Sequence, residues 1–122
     1  MCLIAKTEIR TAKRNIMCYK RLIYRRRVGT FISPFYGETY EVGETKQVKF
    51  FTDENNRRII SRTNPVAVSA GLHAYTTLEK AASNPFYTIV RCIIPKGTKY
   101  VRGTEQEIVA LKLVVKEVVG GF

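Results

Sequence analysis

One histidine, His73, occurs in the 122-residue chain, in the run Gly71, Leu72, His73, Ala74, Tyr75. Imidazole titrates close to neutrality, so His73 can act as a general base or hydrogen-bond a ligand. The plainer reading is a structural histidine that bonds a backbone carbonyl and fixes its loop. Its place just before an expected helix keeps the first reading open, because a helix N-terminus offers free N–H groups to an anion. Zinc is not expected, since no cysteine or carboxylate pair stands at ligand spacing from His73. Cys2, Cys18 and Cys92 are odd in number and lack a CxxC spacing, so no disulfide framework is indicated. Cys18 and Cys92 sit in apolar alternation and read as small buried hydrophobes.

A second constellation is the basic turn and strand at residues 96–103, with Gly97 and Gly103 near its ends. Lys96, Lys99 and Arg102 can hold phosphates there while Tyr100 stacks on a base, a contact worth about 1–3 kcal/mol. The glycine-lysine-serine/threonine order of a phosphate-binding loop is absent. An exposed edge guarded by cations against aggregation explains the same residues. Arg25, Arg26 and Arg27, with Tyr19, Tyr24, Lys20 and Arg21 before them, suit a nucleic-acid surface, although alternate residues of a strand there must face the core. The candidate ligand-binding set is therefore Arg25, Arg26, Arg27, His73, Tyr75, Lys96, Lys99, Tyr100 and Arg102. Glu105 and Glu107 form a carboxylate pair, yet no nucleophile elbow or Cys–His spacing accompanies them. No catalytic residue and no cofactor are expected from the residues alone.

Charge points the same way. The chain has 21 Lys plus Arg against 10 Asp plus Glu, a net +11. Nine of the cations and only one anion, Glu8, lie in residues 1–27. Such a field draws in nucleic acid, nucleotides or anionic lipid, and a solvated basic face that aids solubility is the alternative. With 45% apolar residues the chain can bury one core, which reads as a single domain with a strongly basic segment at 1–27. No apolar run approaches a membrane span, and Met1 to Ala5 is too short for a signal peptide. A cytoplasmic protein without membrane contact is expected; self-association is left open.

Short strands must position these residues. Residues 16–24 read as a strand rich in β-branched and aromatic side chains, and 28–32 as another, stopped by Ser33 and Pro34. Residues 39–42 and 47–51 flank Gly43 as a pair of strands. A turn at 53–56 leads to extended structure at 57–62, which Asn64 and Pro65 break. Residues 6–15 read as a polar helix or an arm. Thr76 precedes Glu79 at capping-box spacing, so a helix is expected over about 76–84, ended by Asn84 and Pro85. Residues 86–94 have apolar side chains on both faces, as a central strand would, with Ile89, Cys92 and Ile93 buried. Residues 98–102 form a short basic strand and 108–119 a long final one. The class is α+β: a mostly antiparallel, curled or barrel-like sheet with one short helix.

Three stretches carry a resemblance. Gly71 to Tyr75, Cys92 to Tyr100 and Glu107 to Val114, with a looser match around Cys18, Tyr19 and Lys20, resemble a small uncharacterised domain met in phage genomes and gut-bacterial proteins. The resemblance implies a phage accessory protein in the host cytoplasm, acting on host defence, and brings no established activity. The order of Arg21, then Tyr75, Thr76 and Thr77, then Glu105, Gln106 and Glu107 is also similar to ADP-ribosyltransferases. That likeness implies Arg21, Tyr75 and Glu107 as catalytic residues, although the family's Ser-Thr-Ser element is absent. Three functions follow: binding of a nucleotide or nucleic acid without catalysis, an ADP-ribosyltransferase-like enzyme, or an inhibitor that covers an acidic surface of a host protein.

Overall fold

A computed structural model describes residues 3–4, 8–25, 30–33, 39–52, 57–59, 67–68 and 71–120. In chain order the strands are β1 (Leu3–Ile4), β2 (Arg10–Thr11), β3 (Ile16–Arg25), β4 (Thr30–Ile32), β5 (Thr39–Tyr40), β6 (Thr45–Gln47), β7 (Ala67–Val68) and β8 (Leu72–Tyr75). The helix α1 (Leu78–Ala81) follows, then β9 (Thr88–Ile94), β10 (Lys99–Arg102), β11 (Glu107–Ala110) and β12 (Lys112–Gly120). All pairings are antiparallel, and the main sheet runs β2-β10-β11-β8-β3-β9-β12-β6. β4 pairs with the far end of β3 and carries β5, while β1 and β7 form a separate pair.

The centre of the sheet follows from alternation. Along β3, Cys18, Lys20 and Leu22 are buried while Tyr19, Arg21 and Ile23 are half-buried. β3 lies in register with β9 from Ile16 opposite Ile94 to Leu22 opposite Thr88. Ile89, Val90, Cys92 and Ile94 are buried on β9, as expected of a central strand, although Ile93 is only half-buried. The charged residue inside this core is satisfied: Lys20 Nζ donates to the His73 carbonyl at 2.7 Å and stands 5.2 Å from the Tyr40 ring centroid. Cys18 and Cys92 face each other in register, both buried. Burial pushes the Cys92 thiol up to about 11 and, helped by Cys92 itself, pushes the Cys18 thiol higher still.

Several elements depart from expectation. The sheet is mostly antiparallel with one short helix, but among the described residues its order ends on β2 and β6, which do not pair, so it is not closed into a barrel. Residues 39–42 and 47–51 do not pair with each other. β5 takes β4 as its partner and β6 takes β12, because the reversal at Gly43 is held to β12 instead, with the Gly43 N–H donating to the Val115 carbonyl at 2.8 Å. Within the stretch read as a polar helix or arm, Arg10 and Thr11 form an edge strand on β10. The expected final strand is split at Leu111 into β11 and β12. The helix has four residues, and its N-cap is Thr77, whose Oγ1 accepts from the Lys80 N–H at 3.2 Å. Thr76 is drawn away, since its hydroxyl donates to the Gln106 carbonyl. The extended structure expected at 57–62 is described only over 57–59, where Arg58 bridges Thr52. The turn at 53–56 and the break at Asn64 and Pro65 lie outside the described residues.

Gly71 is required where it stands. Its φ is +149°, and a Cβ there would overlap the Val109 side chain and lie 3.2 Å from the Phe51 ring. Val109 and Phe51 belong, with Val68 and Val101, to a small buried cluster beside the main core. Gly71→Ala is therefore expected to destabilise the protein by about 1–3 kcal/mol through overpacking alone, measured by urea unfolding; a loss under about 0.5 kcal/mol would contradict this packing.

Candidate functional site

The long strand formed by β11 and β12 kinks at Leu111. In regular antiparallel pairing a residue exchanges both backbone bonds with one opposite partner. Leu111 divides them: its N–H donates to the Lys99 carbonyl at 3.1 Å, and its carbonyl accepts from the Val48 N–H at 2.9 Å. Over this kink lies an open cleft of about 460 Å³, lined by Gln47, Val48, Lys49, Lys96, Gly97, Thr98, Lys99, Leu111 and Lys112. Lys112 stands in register with Gln47. The turn that carries Lys96 is pinned from below. The Gly97 N–H donates to the Ala12 carbonyl at 2.8 Å, and the Lys96 N–H donates to Asn15 Oδ1 at 3.0 Å. Lys49, Lys96 and Lys99 are exposed and Lys112 is half-buried. None of the four makes an ion pair with a described carboxylate. The cleft thus presents uncompensated ammonium groups over a floor that includes Val48 and Leu111.

Among the described residues of the expected ligand-binding set, Lys96 and Lys99 lie here. Tyr100, next along β10, packs against the main core, and Arg102 rests 5.6 Å from its ring centroid. A base held by Lys99 would therefore not reach Tyr100, because neighbouring strand residues point to opposite faces. His73 is on β8 opposite Val109, not at a helix start, and a four-residue helix provides no anion site. Arg25 is exposed at the end of β3 opposite Thr30, far along the strand order from the cleft. Arg26 and Arg27 lie outside the described residues. Lys49 and Lys112 were missed by sequence reading. They come from segments far apart in the chain, joined by the pairing of β6 with β12 and by the bond from the Val48 N–H to the Leu111 carbonyl.

A second grouping forms around Tyr75. On β8 it stands opposite Glu107 of β11 on one side and Tyr19 of β3 on the other. The Arg21 guanidinium lies 4.4 Å from the Tyr75 ring centroid and 5.9 Å from that of Tyr87. Its nitrogens donate to the Ala81 and Lys80 carbonyls and to Ser83 Oγ, each at 2.7 Å. A cation at a helix C-terminus meets the unsatisfied carbonyls and the negative dipole end. Arg21 therefore ties α1 to the sheet. Burial, then repulsion from Glu105, holds the Glu107 carboxyl above its usual range against the pull of Lys80 and Arg21. Burial likewise raises the Tyr75 hydroxyl, against Arg21.

No group of three or more His, Cys, Asp or Glu side chains stands together among the described residues. No helix there is long and apolar enough to cross a membrane. No protein-family model, curated protein or solved structure matches the chain.

The raised Glu107 carboxyl has a consequence for stability. The folded state binds its proton to higher pH than the unfolded state does, so folding loses free energy as pH rises from near the ordinary value of 4.5 upward. Glu107→Gln lacks this loss. The melting temperature of the variant relative to wild type is expected to rise across that window and level off above it; a difference independent of pH would contradict the assignment.

Proposed function

We propose that the protein binds a phosphate-bearing ligand, a nucleotide or a nucleic acid, without transforming it. The observation that carries this reading is the meeting of Lys49, Lys96, Lys99 and Lys112 in one cleft with no carboxylate among its described lining residues. Like charges crowded together repel, and an anion relieves that cost; the net charge of +11 adds long-range attraction for the same kind of ligand. The reading includes a curled sheet, because β8, β3 and β9 stand between β11 and β12 in the strand order while Leu111 alone separates them in the chain. The α+β class then rests on α1. A phage accessory protein in the host cytoplasm, sequestering a nucleotide signal of host defence, fits such a site and rests on the resemblance of residues 71–75, 92–100 and 107–114.

Exchange of Lys96 and Lys99 for alanine is expected to weaken binding of a fluorescent nucleotide or oligonucleotide by about tenfold, with circular dichroism unchanged. Undiminished affinity would remove the cleft from the reading. Salt separates the two ligand classes, since a nucleic acid touching several phosphates loses affinity steeply with ionic strength.

A second reading has its own observation. Arg21, Tyr75 and Glu107, far apart in sequence, meet across three adjacent strands in the order β3, β8, β11. An ADP-ribosyltransferase-like enzyme would use Glu107 to stabilise the positive charge that develops as nicotinamide leaves NAD. The bonds from Arg21 to the end of α1 weigh against it, because they occupy the guanidinium that such an enzyme needs for its substrate. Nicotinamide release from NAD that Glu107→Gln abolishes would establish this enzyme; the binding reading expects no Glu107-dependent release.

A further inference from the structure

We propose that the ligand of the lysine cleft carries phosphates joined directly to one another, as in a nucleoside triphosphate or an inorganic polyphosphate, and not phosphates spaced along a sugar–phosphate backbone. The inference rests on the reading of this cleft as an anion site and narrows it.

Three features of the lining support it. The first is charge density. Four ammonium groups share about 460 Å³ with no acidic side chain among the described lining residues, whereas one phosphate monoester brings about −1.5 to −2 and leaves half of them unneutralised. A chain of linked phosphates matches the cluster within the same small volume. That volume lies toward the small end of the roughly 300–1,000 Å³ typical of small-molecule sites.

The second feature concerns stacking. No aromatic side chain is among the described residues that line the cleft, and Tyr100, the ring nearest in sequence to Lys99, is packed on the core. Proteins that hold single-stranded nucleic acid gain about 1–3 kcal/mol per base from such rings. The described lining offers no ring to hold a base in that way.

The third is the choice of cation. Among the described lining residues all four cations are lysines and none is arginine. An arginine fork imposes a planar, two-point geometry, whereas a lysine is a rotatable point charge. Rotatable charges suit successive tetrahedral phosphates whose oxygens face several directions. The lysines also come from three separate stretches, around Lys49, Lys96 to Lys99 and Lys112, brought together by the backbone bonds of Leu111 to Lys99 and Val48. Lysines gathered from three stretches into one cleft suit a compact ligand.

Titration calorimetry of the full chain with inorganic tripolyphosphate, orthophosphate and adenosine triphosphate tests the proposal. Tripolyphosphate is expected to bind at least about tenfold more tightly than orthophosphate, and K96A/K99A to remove about tenfold of that affinity. Lys116→Ala, exposed on β12 outside the cleft, is expected to change it by less than about twofold. Equal affinity for adenosine triphosphate and tripolyphosphate assigns recognition to the phosphates alone, and tighter binding of the nucleotide adds a contact to the nucleoside; both support the proposal. Tripolyphosphate binding no tighter than orthophosphate, or insensitive to K96A/K99A, would overturn it. If binding of a single-stranded oligonucleotide falls in K96A/K99A while tripolyphosphate does not bind, this inference fails and the anion reading stands. If no anion depends on Lys96 and Lys99, both fail.

Discussion

The division of backbone bonds at Leu111 is the constraint on which the rest of the structure depends. One residue hands the chain from β11, bonded to β10 and β8, to β12, bonded to β9 and β6. Its N–H goes to Lys99 and its carbonyl to Val48, so neither polar group is stranded at the kink. On the β11 side of Leu111 lie β10 and β8, with Tyr75 opposite Glu107. On the β12 side lie β9 and β6, and Ile89, Cys92, Leu113 and Val115 are buried there. The lysine cleft lies over the junction, lined by residues next to the start of β10 and the end of β6.

Charge placement follows from this arrangement. Three of the four cleft lysines, Lys49, Lys96 and Lys99, are exposed, and solvent and salt moderate their mutual repulsion in the absence of a ligand. Cations at more buried places are bound into the fold. Lys20 bonds the His73 carbonyl from within the core, Arg21 holds the end of α1, and Arg91 pairs with Glu117 at 2.9 Å. The same residue type thus serves two ends: those with carbonyl or carboxylate partners stabilise the fold, and those in the cleft remain available to an anion.

Local patterns were legible in the sequence, and long-range pairings were not. Periodicity located β3 and β9, and both proved central, because alternating β-branched and aromatic residues report burial whatever strand lies next to them. The helix was found one residue off at its cap. Thr76 and Thr77 both have capping hydroxyls, and only the Gln106 carbonyl, thirty positions away, decides between them. The partners of residues 39–40 and 45–47 were misread because chain proximity favours a hairpin, while burial of Tyr40 and the bonds of Gly43 and Glu44 to Val115 favour other neighbours. The split at Leu111 leaves no mark on an apolar run from Ile108 to Val115 broken only by Lys112. For the candidate site, Lys96 and Lys99 were visible as a basic turn. Lys49 and Lys112 were not, since nothing in their own surroundings distinguishes them from other surface lysines. Arg21, Tyr75 and Glu107 were connected only through a resemblance, and the adjacency of β3, β8 and β11 gives that connection a geometric form.

The most direct test of this account is amide chemical-shift mapping during titration with a nucleoside triphosphate. Perturbations centred on Val48, Lys49, Gly97, Lys99, Leu111 and Lys112 are the result the account predicts. Perturbations centred on Tyr75 and Glu107, with the amides around Leu111 unmoved, would contradict it.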